Sequence, residues 1–210
     1  MSMKSKSIIQ IVIFWNLLLG NVLCVAENLS CSQVAAISKM AASKSALSLT
    51  KWQKRAGDSY IAHLVYSFRA FELNPTDHQV AARLLSLVPP SKDEEPLWHT
   101  LDGFLCKEER IDEIKILAAL QARFPHDIAR AVVLDPKKML DYVSYAYTSI
   151  QDPHSDYAVQ MRSVCRTQHN AFVDAVNHLP SDDRQWFVNK IFNPDECRAI
   201  AVPEADGSLL

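Results

Sequence analysis

The chain has 210 residues, with 22 basic and 24 acidic side chains, seven histidines and a formal net charge of −2. Its densest basic stretch, Lys51-Trp52-Gln53-Lys54-Arg55, falls short of the positive footprint that nucleic-acid binding demands, so DNA and RNA are not expected partners. Only four glycines are present, too few for the many tight turns of a β-rich domain of this length.

The N-terminus reads as an export signal. Lys4 and Lys6 precede an apolar run from Ile8 to Leu23, and the small residues Cys24 and Ala26 follow in small-x-small order. Cleavage after Ala26 predicts a chain starting near Glu27, in the periplasm or secreted. A membrane anchor is the rival reading, but Gln10, Asn16, Gly20 and Asn21 interrupt the run. Lipid attachment at Cys24 fits poorly, because Leu23 is bulky where a small residue is wanted. Loss of Lys4 and Lys6 takes the basic count from 22 to 20 against 24 acidic residues, a net charge of −4. No stable membrane insertion is expected after processing. The remaining 27–202 can bury a sizeable core as one all-α domain, with 203–210 a polar, disordered tail.

In chain order, the pattern predicts nine or ten helices. The first spans 31–47. The second covers 59–73, where Ile61, Leu64, Val65, Phe68 and Phe71 recur at helical spacing. Helices over 77–87 and 94–105 follow, separated by Pro89-Pro90. A helix over 108–123 is expected to bury Ile111, Ile114, Leu117, Ala118 and Ala122, with Gln121 a polar intruder. Pro125 then divides it from one over 125–133. A further helix fits 137–150. The longest should run from Pro153 to about Leu179, with Tyr157, Met161, Val164, Cys165, Phe172, Val176 and Leu179 inward. Helices over 182–192 and 194–201 complete the set. Asn74-Pro75, Asp135-Pro136, Asp152-Pro153 and Asn193-Pro194 each suggest an N-cap before a proline at the first helical position.

Two segments share the pattern R-A-x-x-L-[ND]-P: Arg69 to Pro75 and Arg130 to Pro136. The first resembles the closing segment of a tetratricopeptide repeat, over little more than residues 60–77. Lys51 and Lys54 stand where that family has a small residue and an aromatic. Two helices ended by similar cap chemistry account for the pattern. A degenerate helical-repeat arrangement, which would imply a concave protein-binding face, is the alternative.

Beyond the leader lie Cys31, Cys106, Cys165 and Cys197, an even number suited to two disulfides in an oxidising compartment. The preferred pairing is Cys31 with Cys106 and Cys165 with Cys197, with free buried thiols the alternative. No C-x-x-C, Gly-rich phosphate loop, G-x-S-x-G or H-E-x-x-H occurs, so no catalytic, cofactor-binding or metal-binding residue is assigned. His99, His126 and His154 have suggestive neighbours, but helix-start chemistry explains those around the last two. His169 and His178, nine apart, cannot share an ion on one helix. Glu72, beside Phe68 and Phe71, is the one carboxylate near an apolar face. The Asp93-Glu94-Glu95 run and the Asp182-Asp183 pair suit first turns of helices. Met139, Tyr142 and Tyr145 form a stripe that reads as core or as the lining of a lipid-sized cavity.

The expectation is an exported, non-enzymatic helical module with a protein partner, an inhibitor or an assembly factor. A carrier of a small hydrophobic ligand and a secreted hydrolase of unrecognised type are the alternatives.

Overall fold

The structure is a computed structural model that describes residues 29–88, 111–150 and 154–190. It is all-α, with nine α-helices and one 3-10 turn among the described residues. The leader, the tail, the expected helices over 94–105 and 194–201, and the Asp152-Pro153 and Asn193-Pro194 caps lie outside these residues.

Serine caps four of these helices. Ser30 caps α1 (Cys31–Ala41) in a reciprocal box, accepting from Gln33 N while Gln33 Oε1 accepts from Ser30 N. Ser45 caps α2 (Ala46–Ala56) by accepting from Ser48 N, and Ser59 caps α3 (Tyr60–Leu73) by accepting from Ala62 N. Helix α4 (His78–Leu85) starts at Asp77, whose carboxylate takes Gln79 N and Val80 N. Asn74-Pro75 therefore ends α3 instead of opening α4. Asp135-Pro136 behaves alike, closing α5 (Ile111–Leu134) and leading through the 3-10 turn Pro136–Lys138 into α6 (Met139–Ser149). Asn74 (φ −141°, ψ 71°) and Asp135 (φ −127°, ψ 76°) hold nearly one backbone conformation. Proline disfavours the helical region for its predecessor, so each pair stops the helix before it. Asp135 also stands at the N-cap of the 3-10 turn with Pro136 in its first turn, as the sequence suggests, although its side chain makes no capping bond. Ser155, accepting from Ala158 N, opens α7 (Asp156–Thr167); α8 (His169–Asn177) and α9 (Ser181–Lys190) follow.

Three expected elements differ. The single helix over 31–47 ends at Ala41, and α2 forms where no helix is expected. Its exposed face is basic, and only Leu49 and Ala56 are buried, so it lacks an apolar stripe to announce it. Helix α5 runs through Pro125, which was expected to divide it. Its core face is Leu117, Leu120, Gln121, Phe124 and Ile128, while Ala118 and Ala122 are exposed. The presumed intruder Gln121 thus lies inside the true stripe. Last, the helix expected over 153–179 breaks at Gln168 (φ −128°, ψ 49°), whose side-chain amide donates to the Val133 carbonyl at 3.2 Å. His78 Nδ1 meets the neighbouring Leu134 carbonyl at 3.0 Å. Two orphan carbonyls at the end of α5 gain partners at the cost of one helical residue.

Helix α5 is the axle: α1, α3 and α4 pack on one part of it, α6 and α7 on another. The 61/64/65/68/71 face of α3 is fully buried as its spacing predicts. An aromatic ladder crosses the core from Phe68 to Phe124 (5.5 Å), Tyr145 (6.2 Å) and Tyr157 (5.7 Å), joining α3, α5, α6 and α7. A second group, Tyr147, Trp186, Phe187 and Phe172, fastens α9 to α6 and α8. The Met139, Tyr142 and Tyr145 stripe is fully spent on this core. No described helix is long and apolar enough to cross a membrane.

Candidate binding groove

The two helix stops of the shared pattern come to the same place. Arg130, on α5, sets its guanidinium 5.8 Å from the centre of the Phe71 ring on α3. Beside it, a groove of about 310 Å³ runs between the second half of α5 and α7, with Pro75 at one end. Ala129, Val133, Leu134 and Val164 give it an apolar floor, and His126, Arg130, Gln160, Ser163 and Thr167 give it polar walls. The spacing 126/129/130/133/134 is one helical stripe of α5, and 160/163/164/167 is its counterpart on α7. The groove is open, and its donors suit an acidic or amide group carried on a partly apolar segment.

Next to the groove lies a compact charge network. Glu72, with a side chain 12% exposed, is bridged by Arg69 Nη1 at 2.5 Å and by Arg123 Nε at 2.7 Å. Arg69 Nε also donates to the Ser43 carbonyl at 2.6 Å, in the connection between α1 and α2. Arg123 donates to the Ala119 carbonyl, and Arg130 reaches Asp127 at 3.4 Å. Asp127 is buried, and loss of solvation raises its pKa above the usual carboxylate value; the negative charge of Glu72 raises it further. His126, Arg130 and Arg123 act in the opposite direction.

Two carboxylates, one of them raised, are the raw material of acid–base hydrolysis. Here both are bound by arginine, and neither lines the groove. Desolvation at Glu72, anticipated from its place in the sequence, is answered by two guanidinium groups. The arrangement cross-links α3 to α5.

The expected site residues scatter. Cys31 carries a free thiol, packed half-buried against the core, so the expected pairing with Cys106 is not made at that residue. Its side chain serves as a small apolar group. Cys165 is fully buried on α7, with Sγ 3.9 Å from His169 Nδ1. Cys106 and Cys197 lie outside the described residues, as do His99 and the Asp93-Glu94-Glu95 run. His154 is exposed in the turn before α7. His169 and His178 stand at opposite ends of α8, His178 Nδ1 meeting the Asp174 carbonyl at 2.7 Å. Among the described residues no group of three or more His, Cys, Asp or Glu is placed to hold a metal ion. Asp183 accepts from Tyr147 Oη at 2.8 Å, and burial with this bond pushes the Tyr147 pKa up to about 12. Of the described histidines singled out from sequence, His126 alone meets the groove. The groove itself was missed, because its walls lie some 30 residues apart. The chain matches no protein-family model, no curated protein and no solved structure.

Proposed function

We propose that the chain is an exported interaction module, and that the groove between α5 and α7 receives an extended segment of a partner protein. The observation that carries this reading is the groove's make-up: an apolar floor walled by Arg130, His126 and three uncharged polar side chains. Such a surface gives a peptide both burial and orientation without an enclosed chamber. The partner segment that fits is acidic at one end, facing Arg130, and aliphatic beyond. Export rests on the basic, apolar, small-residue order of residues 1–26. Cys165 with Cys197 remains the disulfide expected in that compartment.

A hydrophobic-ligand carrier would draw on an enclosed apolar cavity, whereas the Met139, Tyr142 and Tyr145 stripe goes into core packing. A hydrolase would want its carboxylates in the groove, and they are tied to arginines beside it.

Native mass spectrometry on protein recovered from its exporting host tests the proposal. The expected species begins near Glu27 and retains a polypeptide partner. Ser163→Trp, which fills the groove from the exposed side of α7, should release that partner while leaving helical content unchanged. A lipid-sized adduct in place of the polypeptide would overturn the reading in favour of the carrier. Retention of the partner by the Ser163→Trp variant would remove the groove from it.

A further inference from the structure

The helical hairpin of α1 and α2 concentrates positive charge in a way the overall composition conceals. Between Asn28 and Gly57 there are five basic residues, Lys39, Lys44, Lys51, Lys54 and Arg55, and no acidic one. The whole chain carries −2, so the remainder carries −7 against the hairpin's +5. All five cations are exposed.

Folding brings three of them together. Lys39 Nζ from α1 lies 4.8 Å from the Trp52 ring centre, with the Arg55 guanidinium at 4.9 Å and Lys51 Nζ at 5.7 Å. Each contact draws on the ring quadrupole, but three like charges around one indole repel one another. None of the five makes an ion pair among the described residues. The neighbouring carboxylate, Asp58, is engaged instead by His63 at 2.5 Å. The hairpin is therefore a positive surface without a counter-charge among the described residues.

Leu47 selects among polyanions. It is 84% exposed, one turn before Lys51 and two turns before Lys54 on the same outward stripe of α2. A leucine held in water among lysines gains nothing from the carboxylates of an acidic polypeptide or the phosphates of a nucleic-acid backbone. It gains from a bilayer interface, where an apolar side chain enters the acyl boundary while lysines and an amphipathic tryptophan meet the headgroups. Clusters of four to eight cations beside an amphipathic helix suit anionic lipid, and the hairpin carries five, three of them on α2.

We propose that the α1–α2 hairpin is a peripheral docking surface for anionic phospholipid, with Leu47 inserted and Lys39, Lys51, Lys54 and Arg55 on the headgroups. The acidic remainder turns the rest of the molecule away from the bilayer. This surface is independent of the α5–α7 groove.

The test is sedimentation of the full chain with vesicles of phosphatidylcholine alone and with added phosphatidylserine. Residues 8–23 are themselves apolar, so the reading is the preference for serine-lipid vesicles, compared between the parent chain and its variants. Each cation supplies about a five-fold factor in partitioning. Lys51→Glu with Lys54→Glu and Arg55→Glu should weaken that preference by at least about 100-fold, and the milder Lys51→Gln with Lys54→Gln by about 25-fold. Leu47→Ser should weaken binding further, and raised salt should abolish it. Circular dichroism checks that the exposed substitutions leave the helices intact. An equal preference in the parent and both charge variants overturns the proposal. So does unaltered binding by Leu47→Ser together with capture of soluble polyglutamate, which would assign the hairpin to an acidic polypeptide.

Discussion

Two tyrosines three residues apart on α6 show how differently the core treats hydroxyl groups. Tyr145 Oη hydrogen-bonds Tyr157 Oη at 2.9 Å, whereas Tyr142 Oη is buried with no partner among the described residues. Burial raises the Tyr142 pKa, with the nearby Tyr157 hydroxyl adding to it, so the group stays neutral at any ordinary pH. An unpaired buried hydroxyl costs roughly 1–3 kcal/mol, while the ring itself contributes packing that phenylalanine would keep. Tyr142→Phe should therefore stabilise the fold by about 1 kcal/mol, and Tyr145→Phe should destabilise it by a similar amount. Urea midpoints of the two variants decide the matter. Destabilisation by Tyr142→Phe would mean that its hydroxyl has a partner, a bound water for example.

At the scale of the element, helix ends carry most of what sequence can and cannot disclose. The α3 face is legible in its apolar spacing, because five large side chains leave no competing register. Helix α5 is legible only in part: Leu117 is buried as its spacing predicts and Ile114 packs against the core, but Ala118 and Ala122 stand exposed while Leu120, Phe124 and Ile128 are buried. Pro125 then counts as a stop, although packing from both sides holds the helix together across it. The break at Gln168 has no glycine or proline to mark it; its cause is the Val133 carbonyl, 35 residues earlier. For the same reason the α5–α7 groove could not be read from local pattern. Helix α2 was hidden by its charge, and it ends at Gly57. Gly57 has φ +82°, and a Cβ there would lie 3.3 Å from Gln33 Nε2, which faces the Ala56 carbonyl at 3.5 Å. Gly57→Ala should cost about 1 kcal/mol or more, through backbone strain and a displaced Gln33. A urea midpoint equal to that of the parent would show that this turn relaxes freely.

At the scale of the whole molecule, the charge network is what ties the basic hairpin and the groove to one axle. Glu72 joins α3 to α5 through Arg123, Arg69 extends the link to the α1–α2 connection, and Arg130 carries it to the groove wall. Asp127 is the strained member. Its pKa is raised in the fold, by burial first and by Glu72 second, above the unfolded value of about 3.9. The folded state thus holds the Asp127 proton more tightly than the unfolded chain does. Its contribution to stability is fully present below the unfolded pKa and is lost as pH rises through the folded pKa. Asp127→Asn keeps a neutral group of the same shape, so the variant should be more stable than the parent at pH 7. The two should converge in acid, where the parent is protonated as well. Glu72→Gln removes the second cause, so it should bring the Asp127 transition to lower pH, although the two arginines lose their carboxylate and overall stability falls. Urea unfolding from pH 3.5 to 7 measures both effects. A stability difference between Asp127→Asn and the parent that stays constant with pH would show that Asp127 titrates alike in the folded and unfolded chains. The network would then hold its two carboxylates without strain, and pH could not loosen the axle on which both surfaces depend.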